Sequence, residues 1–408
     1  MKHLDTIILE GEMPVPLLAF LGACVYGDPE AHYSGLNEAS RDELERMVLR
    51  FSLEPWFYRY LYRILPEKKR TEYQAVYQAR QAAALIRERE LKRLFGVLSK
   101  NGLRFVPIKG ADLAYRLYPA PGLRNYDDWD ILFHPDDCAR ALDVLAGDGW
   151  KIPRRHMDEH NAAIKTTKHH FSPHIRGKNT LEPHFTLSNF AGVDPLEIWA
   201  YTAECPGCPG QHVLSPEMNL LMLGRHAASI SYYHACLPKL LTDAAMILTR
   251  EKPDFAVLHT MSSRWGLLYP GDLFAAFPEF FPPETVAAFD ADAEKTARFR
   301  ALFELRDKLD RKKPVEVLLT RFQTSETMRG SFWDYLRTWS NVGMRKRYDL
   351  PKHGAWGRVI QAYLHYFFIR TWDVARTWIR RDRDLLDYCR MVDSLESGQN
   401  SDRMQKNT

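Results

Sequence analysis

No run of eighteen or more uncharged apolar residues occurs anywhere in this 408-residue chain, so no segment has the length a membrane-spanning helix needs. A cationic region ahead of the apolar run at 15–25 is also missing, because Met1-Lys2-His3-Leu4-Asp5 leads into a mixed segment. The expectation is therefore a cytoplasmic protein without a secretory signal peptide. Net charge is small: 56 Lys and Arg against 52 Asp and Glu leave +4, which argues neither for nor against nucleic acid, so only a local basic face would matter. Cysteine is sparse, and Cys24, Cys138, Cys205, Cys208, Cys236 and Cys389 lack the spacing of a disulfide framework. The one close pair, Cys205-Pro206-Gly207-Cys208, reads as half of a zinc site or a redox pair, or as a Pro-Gly turn entering a strand at Gln211-His212-Val213-Leu214. No second Cys-x-x-Cys is present to complete a zinc site.

The balance of 45% hydrophobic and 26% charged residues is that of an ordinary globular protein, long enough for two or three domains around a large core. From 38 to 98 the pattern is helical. Leu44, Met47, Val48 and Phe51 recur at spacings of three and four, and 75–98 is rich in strong helix formers, with Asn101-Gly102 as its stop signal. Phe105-Val106-Pro107-Ile108 then reads as a strand, 111–118 as a short helix, 127–133 as a second strand and 136–147 as a helix opened by Pro135-Asp136-Asp137. Strands at 168–175 and 180–187, joined by the turn Arg176-Gly177-Lys178-Asn179, complete a small mixed sheet. Residues 215–330 read as helices.

Chemistry concentrates between residues 107 and 133. Asp128 and Asp130 stand at i and i+2 of one strand, so both carboxylates point to the same side, about 6 to 7 Å apart. Two such groups repel unless a cation lies between them, and hard oxygen ligands favour magnesium or manganese over zinc. The plain alternative is a solvated strand end. Ahead of the strand, Lys109-Gly110-Ala111 forms a strand-to-helix turn. There Gly110 would let the backbone approach a phosphate, the helix opening at Ala111 offers unpaired N–H groups, and Lys109 and Arg124 add cationic contacts.

In their order, Lys109-Gly110, Leu117-Tyr118-Pro119, Gly122-Leu123-Arg124 and Asp128-Trp129-Asp130 resemble the signature of the nucleotidyltransferase superfamily that includes DNA polymerase beta. They resemble most closely its branch of uncharacterised bacterial nucleotidyltransferases. The resemblance continues through Leu214-Ser215-Pro216-Glu217, Leu220-Leu221, Arg225-His226-Ala227 and the helix carrying Asp243, and so spans about 30 to 275. It implies a third carboxylate on a later strand, for which Glu182 in Thr180-Leu181-Glu182-Pro183-His184 is the candidate. Two departures stand out. The usual Gly-Gly or Gly-Ser of the turn is Lys109-Gly110-Ala111 here, and Pro183 forbids one ladder hydrogen bond, which predicts an edge or strand-end position.

Histidines cluster at His156, His160, His169, His170, His174 and His184. His156 and His160 have the i, i+4 spacing of a zinc chelate, but Met157 stands where the protease motif has its glutamate. His184 shares a strand face with Glu182, where it could orient a carboxylate, contact a phosphate, act as general base or simply pack. His226 and Asp243 read either as nucleotide contacts from the helical segment or as buried polar groups pairing internally. The C-terminal quarter interleaves Trp333, Trp339, Trp356, Trp372 and Trp378 with arginines. That pattern suits stacking on bases, a membrane surface, a partner or ordinary helix packing.

The combined expectation is an α+β protein with a minimal nucleotidyltransferase core and helical flanks. Its segments would be a helical 1–99, the catalytic core 100–192, a helical second domain 193–300, the Trp/Arg-rich extension 301–396 and a disordered tail 397–408. By resemblance it binds an NTP, with ATP the first candidate, and Mg2+, with Mn2+ as the other candidate. Asp128, Asp130 and Glu182 would be the catalytic and metal-binding carboxylates, and Lys109, Gly110, Ala111, Arg124 and His184 would contact nucleotide. The acceptor is a hydroxyl of a small molecule, a peptide or protein, or an RNA end. The alternatives are a non-catalytic nucleotide-binding scaffold and a kinase using the same pocket.

Overall fold

The computed structural model describes residues 15–151, 170–171, 173–187, 190, 192–229 and 237–308. His156, His160, His169, Cys236, Cys389, the Trp/Arg-rich C-terminal segment and the tail lie outside them. The chain divides into two units, one spanning Pro14–Ala297 and one comprising Met1–Met13 with Arg298–Thr408. Everything that follows concerns the first unit. No helix among the described residues is long and apolar enough to cross a membrane.

Five helices come first: α1 (Val15–Tyr26), α2 (Pro29–Gly35), α3 (Glu38–Arg50), α4 (Glu54–Leu61) and α5 (Glu67–Lys100). The expected helical lead is thus present, and α5 is one continuous rod of 34 residues, about 50 Å long. Asn101 caps its C-terminus, and Gly102 turns the chain away at φ +61°. Strand β1 (Phe105–Ile108) follows, then α6 (Gly110–Arg116), β2 (Asp128–Phe133) and α7 (Cys138–Gly147), the last preceded by a 3-10 turn at Pro135–Asp137. β3 (His174–Arg176) and β4 (Asn179–His184) close the main sheet. The strand predicted over 168–175 is confined, among the described residues, to His174–Arg176.

The sheet order is β1-β2-β4-β3, with β2 antiparallel to β1 and parallel to β4, and β3 antiparallel to β4. Strand β4 is therefore interior, which corrects the edge half of the Pro183 expectation. The strand-end half fits, since Pro183 is the penultimate residue of β4 and lies beyond the stretch paired with β3. The register sets Asp128 beside Thr180, Asp130 beside Glu182 and Leu132 beside His184.

Alternation then divides the sheet into two faces. Trp129, Ile131, Phe133, Phe105 and Leu181 pack with Leu91, Leu94 and Leu98 of α5, Ala114 of α6 and Leu145 of α7 in one buried cluster. The opposite face of β2 and β4 carries Asp128, Asp130, Glu182 and His184. One side of the sheet supplies the hydrophobic anchorage that holds the polar side in place.

Beyond the sheet come α8 (Pro195–Trp199), a hairpin of β5 (Thr202–Glu204) and β6 (His212–Leu214), α9 (Pro216–Ser229), α10 (Leu237–Glu251) and α11 (Phe255–Trp265). The Pro-Gly turn reading of Cys205-Pro206-Gly207-Cys208 holds, and β5 is the partner strand that the sequence pattern did not reveal. The hairpin leans on β1, where the Phe105 N–H donates to the Gly210 carbonyl at 2.8 Å.

Candidate active site

The strand-to-helix turn is built on an unusual backbone. Lys109, the residue capping α6, has φ +54° and ψ −129°, a conformation that costs a non-glycine residue about 1–3 kcal/mol and that the surroundings must enforce. Its carbonyl accepts the N–H of Asp112 at 3.2 Å and of Leu113 at 2.8 Å, so the helix winds directly off the strained residue. Gly110 is required for packing: a Cβ there would stand 2.5 Å from Cβ of Tyr126. This contact is a structural reason for the glycine beside the phosphate approach expected from the sequence. Ala111 puts its methyl into the hydrophobic cluster, leaving its backbone N–H as the group it can offer.

Asp130 is the hub. Its Oδ1 receives the Lys109 ammonium at 2.9 Å and His184 Nε2 at 2.8 Å. Burial alone would push this carboxyl up, but Lys109 and His184 hold it well below the usual carboxylate range. An ionised carboxylate only accepts, so His184 Nε2 is the donor. His184 is fully buried, and its burial lowers its own pKa; what it does in this structure is orient Asp130.

Around the hub the other acids behave differently. Asp128 is half-buried and raised, first by burial and then by Asp130. Glu182 is raised for the same two reasons, with His170 opposing them. His184 Nε2 lies 3.9 Å and His170 Nε2 4.0 Å from Glu182 Oε2. Asp130, Glu182 and His184 each present a ligand atom within 4.8 Å of the others. The tightest donor set thus has His184 where the sequence expectation had Asp128, which stands two residues from Asp130 on the same face of β2. The carboxylates of Asp130 and Glu182, with that of Asp128 adjacent, fit a hard divalent cation by donor chemistry, while His184 Nε2 keeps its proton on Asp130. In this structure the Lys109 ammonium supplies the positive charge on Asp130.

Arg124 is elsewhere engaged. It is 6% exposed, and its Nε and Nη2 donate to the two oxygens of Asp243 on α10, both at 2.7 Å, while Nη1 donates to the Asn125 carbonyl at 2.6 Å. The Tyr118 hydroxyl donates to Asp243 Oδ1 at 2.6 Å. The internal-pairing reading of Asp243 is therefore the one observed, and a phosphate contact by Arg124 would require breaking a buried bidentate pair. The side chain still lies close enough to Asp130 to feel its charge. His226 on α9 is likewise within the field of Lys109 and Asp130, and burial lowers its pKa to about 4.

One neighbour was not assigned to the site from the sequence, and one pairing between named residues was not visible there. His170 was one of six clustered histidines, but only the pairing of residue 170 with His184 as an isolated antiparallel bridge brings it to Glu182. The Arg124–Asp243 pair spans 119 positions, and no spacing rule could link them.

The model of the family described as "Uncharacterised nucleotidyltransferase" matches residues 39–276, which include every residue of this site. No curated protein and no solved structure matches the chain. With more than half of its length matched, and with the turn, the acidic strand and the Glu182 strand inside the match, the chain belongs to the uncharacterised nucleotidyltransferase family.

Proposed function

We propose that the acidic face of β2 and β4 transfers an NMP group from an NTP to a hydroxyl acceptor. The observation that carries this reading is the parallel register of Asp130 with Glu182, which sets Asp128, Asp130, Glu182 and His184 on one sheet face beside the strained Lys109 turn. Asp130 and Glu182, with Asp128, would hold Mg2+ or Mn2+. When bound, that cation supplies charge neutralisation at the phosphates and at the attacking and leaving oxygens.

The chain's own groups have separable tasks. Lys109, whose ammonium lies on Asp130, is the cation that would meet the triphosphate, and the Gly110 and Ala111 N–H groups at the start of α6 would offer it further donors. Glu182 is the carboxylate that would take the proton of the acceptor hydroxyl. The acceptor oxygen then bonds to the α-phosphorus as the bond to the bridging oxygen breaks, and pyrophosphate departs. His184 fixes Asp130 throughout. The Arg124–Asp243 pair ties the loop before β2 to α10 and acts by positioning. We place this activity in the cytoplasm.

The test is an incubation with Mg2+, candidate acceptor extracts and ATP labelled at the α- or the γ-phosphate. Capture of α-label in an acceptor is expected. Capture of γ-label alone would replace this reading with a kinase.

A further inference from the structure

Cys205-Pro206-Gly207-Cys208 closes the β5–β6 hairpin with the backbone of a type II turn. Pro206 fixes the second position, Gly207 takes the third at φ +78°, and the Cys208 N–H donates to the Cys205 carbonyl at 3.2 Å. Such a turn holds its first and fourth Cα atoms within about 7 Å, and disulfides bridge Cα atoms about 4.4–6.8 Å apart. The two cysteines therefore come into bridging range without breaking the Cys205 N–H bond to the Gln211 carbonyl or the second turn, in which Gln211 N–H donates to the Cys208 carbonyl.

Both thiols are free, Cys208 exposed and Cys205 half-buried. They line a cavity of about 830 Å³ whose other walls include Phe95 and Lys100 of α5, Pro107 of β1 and Tyr115 of α6. A space of this size admits a small thiol carrier. Cys24 and Cys138 make the contrast, because both are buried and burial raises both thiols.

We infer that Cys205 and Cys208 form a reversible dithiol–disulfide site, oxidised by a low-molecular-weight disulfide that reaches them through this cavity. The exposed Cys208 thiolate attacks one sulfur of the disulfide, expels one small thiolate and forms a mixed disulfide. Cys205, after losing its proton, attacks the Cys208 sulfur and expels the second. Two protein thiols give up two electrons and two protons, and one small disulfide becomes two thiols. Burial raises the Cys205 thiol, which leaves the first attack to the exposed Cys208.

The test equilibrates the full chain in buffers of reduced and oxidised glutathione, quenches with acid, alkylates and maps the peptides by mass. As the buffer becomes oxidising, the peptide carrying residues 205–208 should lose two hydrogens and both alkylation sites, and excess reduced glutathione should restore them. Cys205→Ser should stop at a Cys208–glutathione adduct. Gly207→Ala places a side chain at φ +78° and should lower the bridging constant by up to about fivefold, because the reduced turn can relax and the bridged one cannot. Thiols that stay reduced in wholly oxidised glutathione, or a wild-type chain that accumulates the Cys208 adduct without bridging, would overturn the inference.

Discussion

His226 carries a charge problem that the fold resolves by keeping the imidazole neutral. Burial, followed by the nearby Lys109, lowers its pKa to about 4, whereas an unfolded histidine titrates near about 6.5. The unfolded state therefore binds a proton that the folded state refuses. The stability this residue confers is complete above about pH 6.5 and is lost as pH falls from there through about 4. Between pH 7.5 and pH 5 the loss is on the order of 1–2 kcal/mol. Urea unfolding of the wild type and of His226→Gln at both pH values should show a smaller pH-dependent loss in the variant; equal losses would remove His226 from the account. Gly110 and Lys109 show how residue-scale reasoning divides. A glycine at a strand-to-helix turn was visible in the sequence, but its packing reason, the Tyr126 ring, was not. The positive φ of the turn stands on Lys109, one position ahead of that glycine, where no local propensity predicts it.

Helices and strands were legible where a period or a breaker marked them. β1, α6, β2 and the end of α5 fall within a residue or two of their expected bounds, because alternation, Gly110 and Asn101-Gly102 are local signals. β5 was not, since three residues, Thr202–Glu204, carry too little pattern to mark a strand. The interior place of β4 was hidden because strand order depends on pairing partners far apart in the chain. Coupling between elements follows the same rule. Asp243 on α10 neutralises Arg124, a buried guanidinium, and also takes the Tyr118 hydroxyl. Asp243→Asn leaves that cation without a carboxylate and should destabilise the unit by about 3–5 kcal/mol, read as a lower urea midpoint. The double change Arg124→Met/Asp243→Leu should recover much of the loss. A loss below about 1 kcal/mol for Asp243→Asn would mean that the pair does not lock α10 to the loop before β2.

At the scale of the molecule, the fold gathers beside one sheet face groups drawn from as far apart as residues 109 and 184: Lys109, Asp130, Glu182 and His184. The carboxylates were legible because strand alternation and family resemblance both name them. The direct bonds of Lys109 and His184 to Asp130, and the approach of His170 to Glu182, were not, because they depend on the parallel register and the strained turn. The opposite face of the sheet is hydrophobic and independent of this chemistry, so single changes at the acids should leave the fold intact. The decisive measurement is therefore transfer of α-label by the wild type, Asp128→Asn and Asp130→Asn, with circular dichroism confirming that all three fold. A drop of at least about a hundredfold in both variants is expected from removing charge at the reacting phosphate. Transfer at wild-type rate by either variant would contradict the assignment of this face as the catalytic centre.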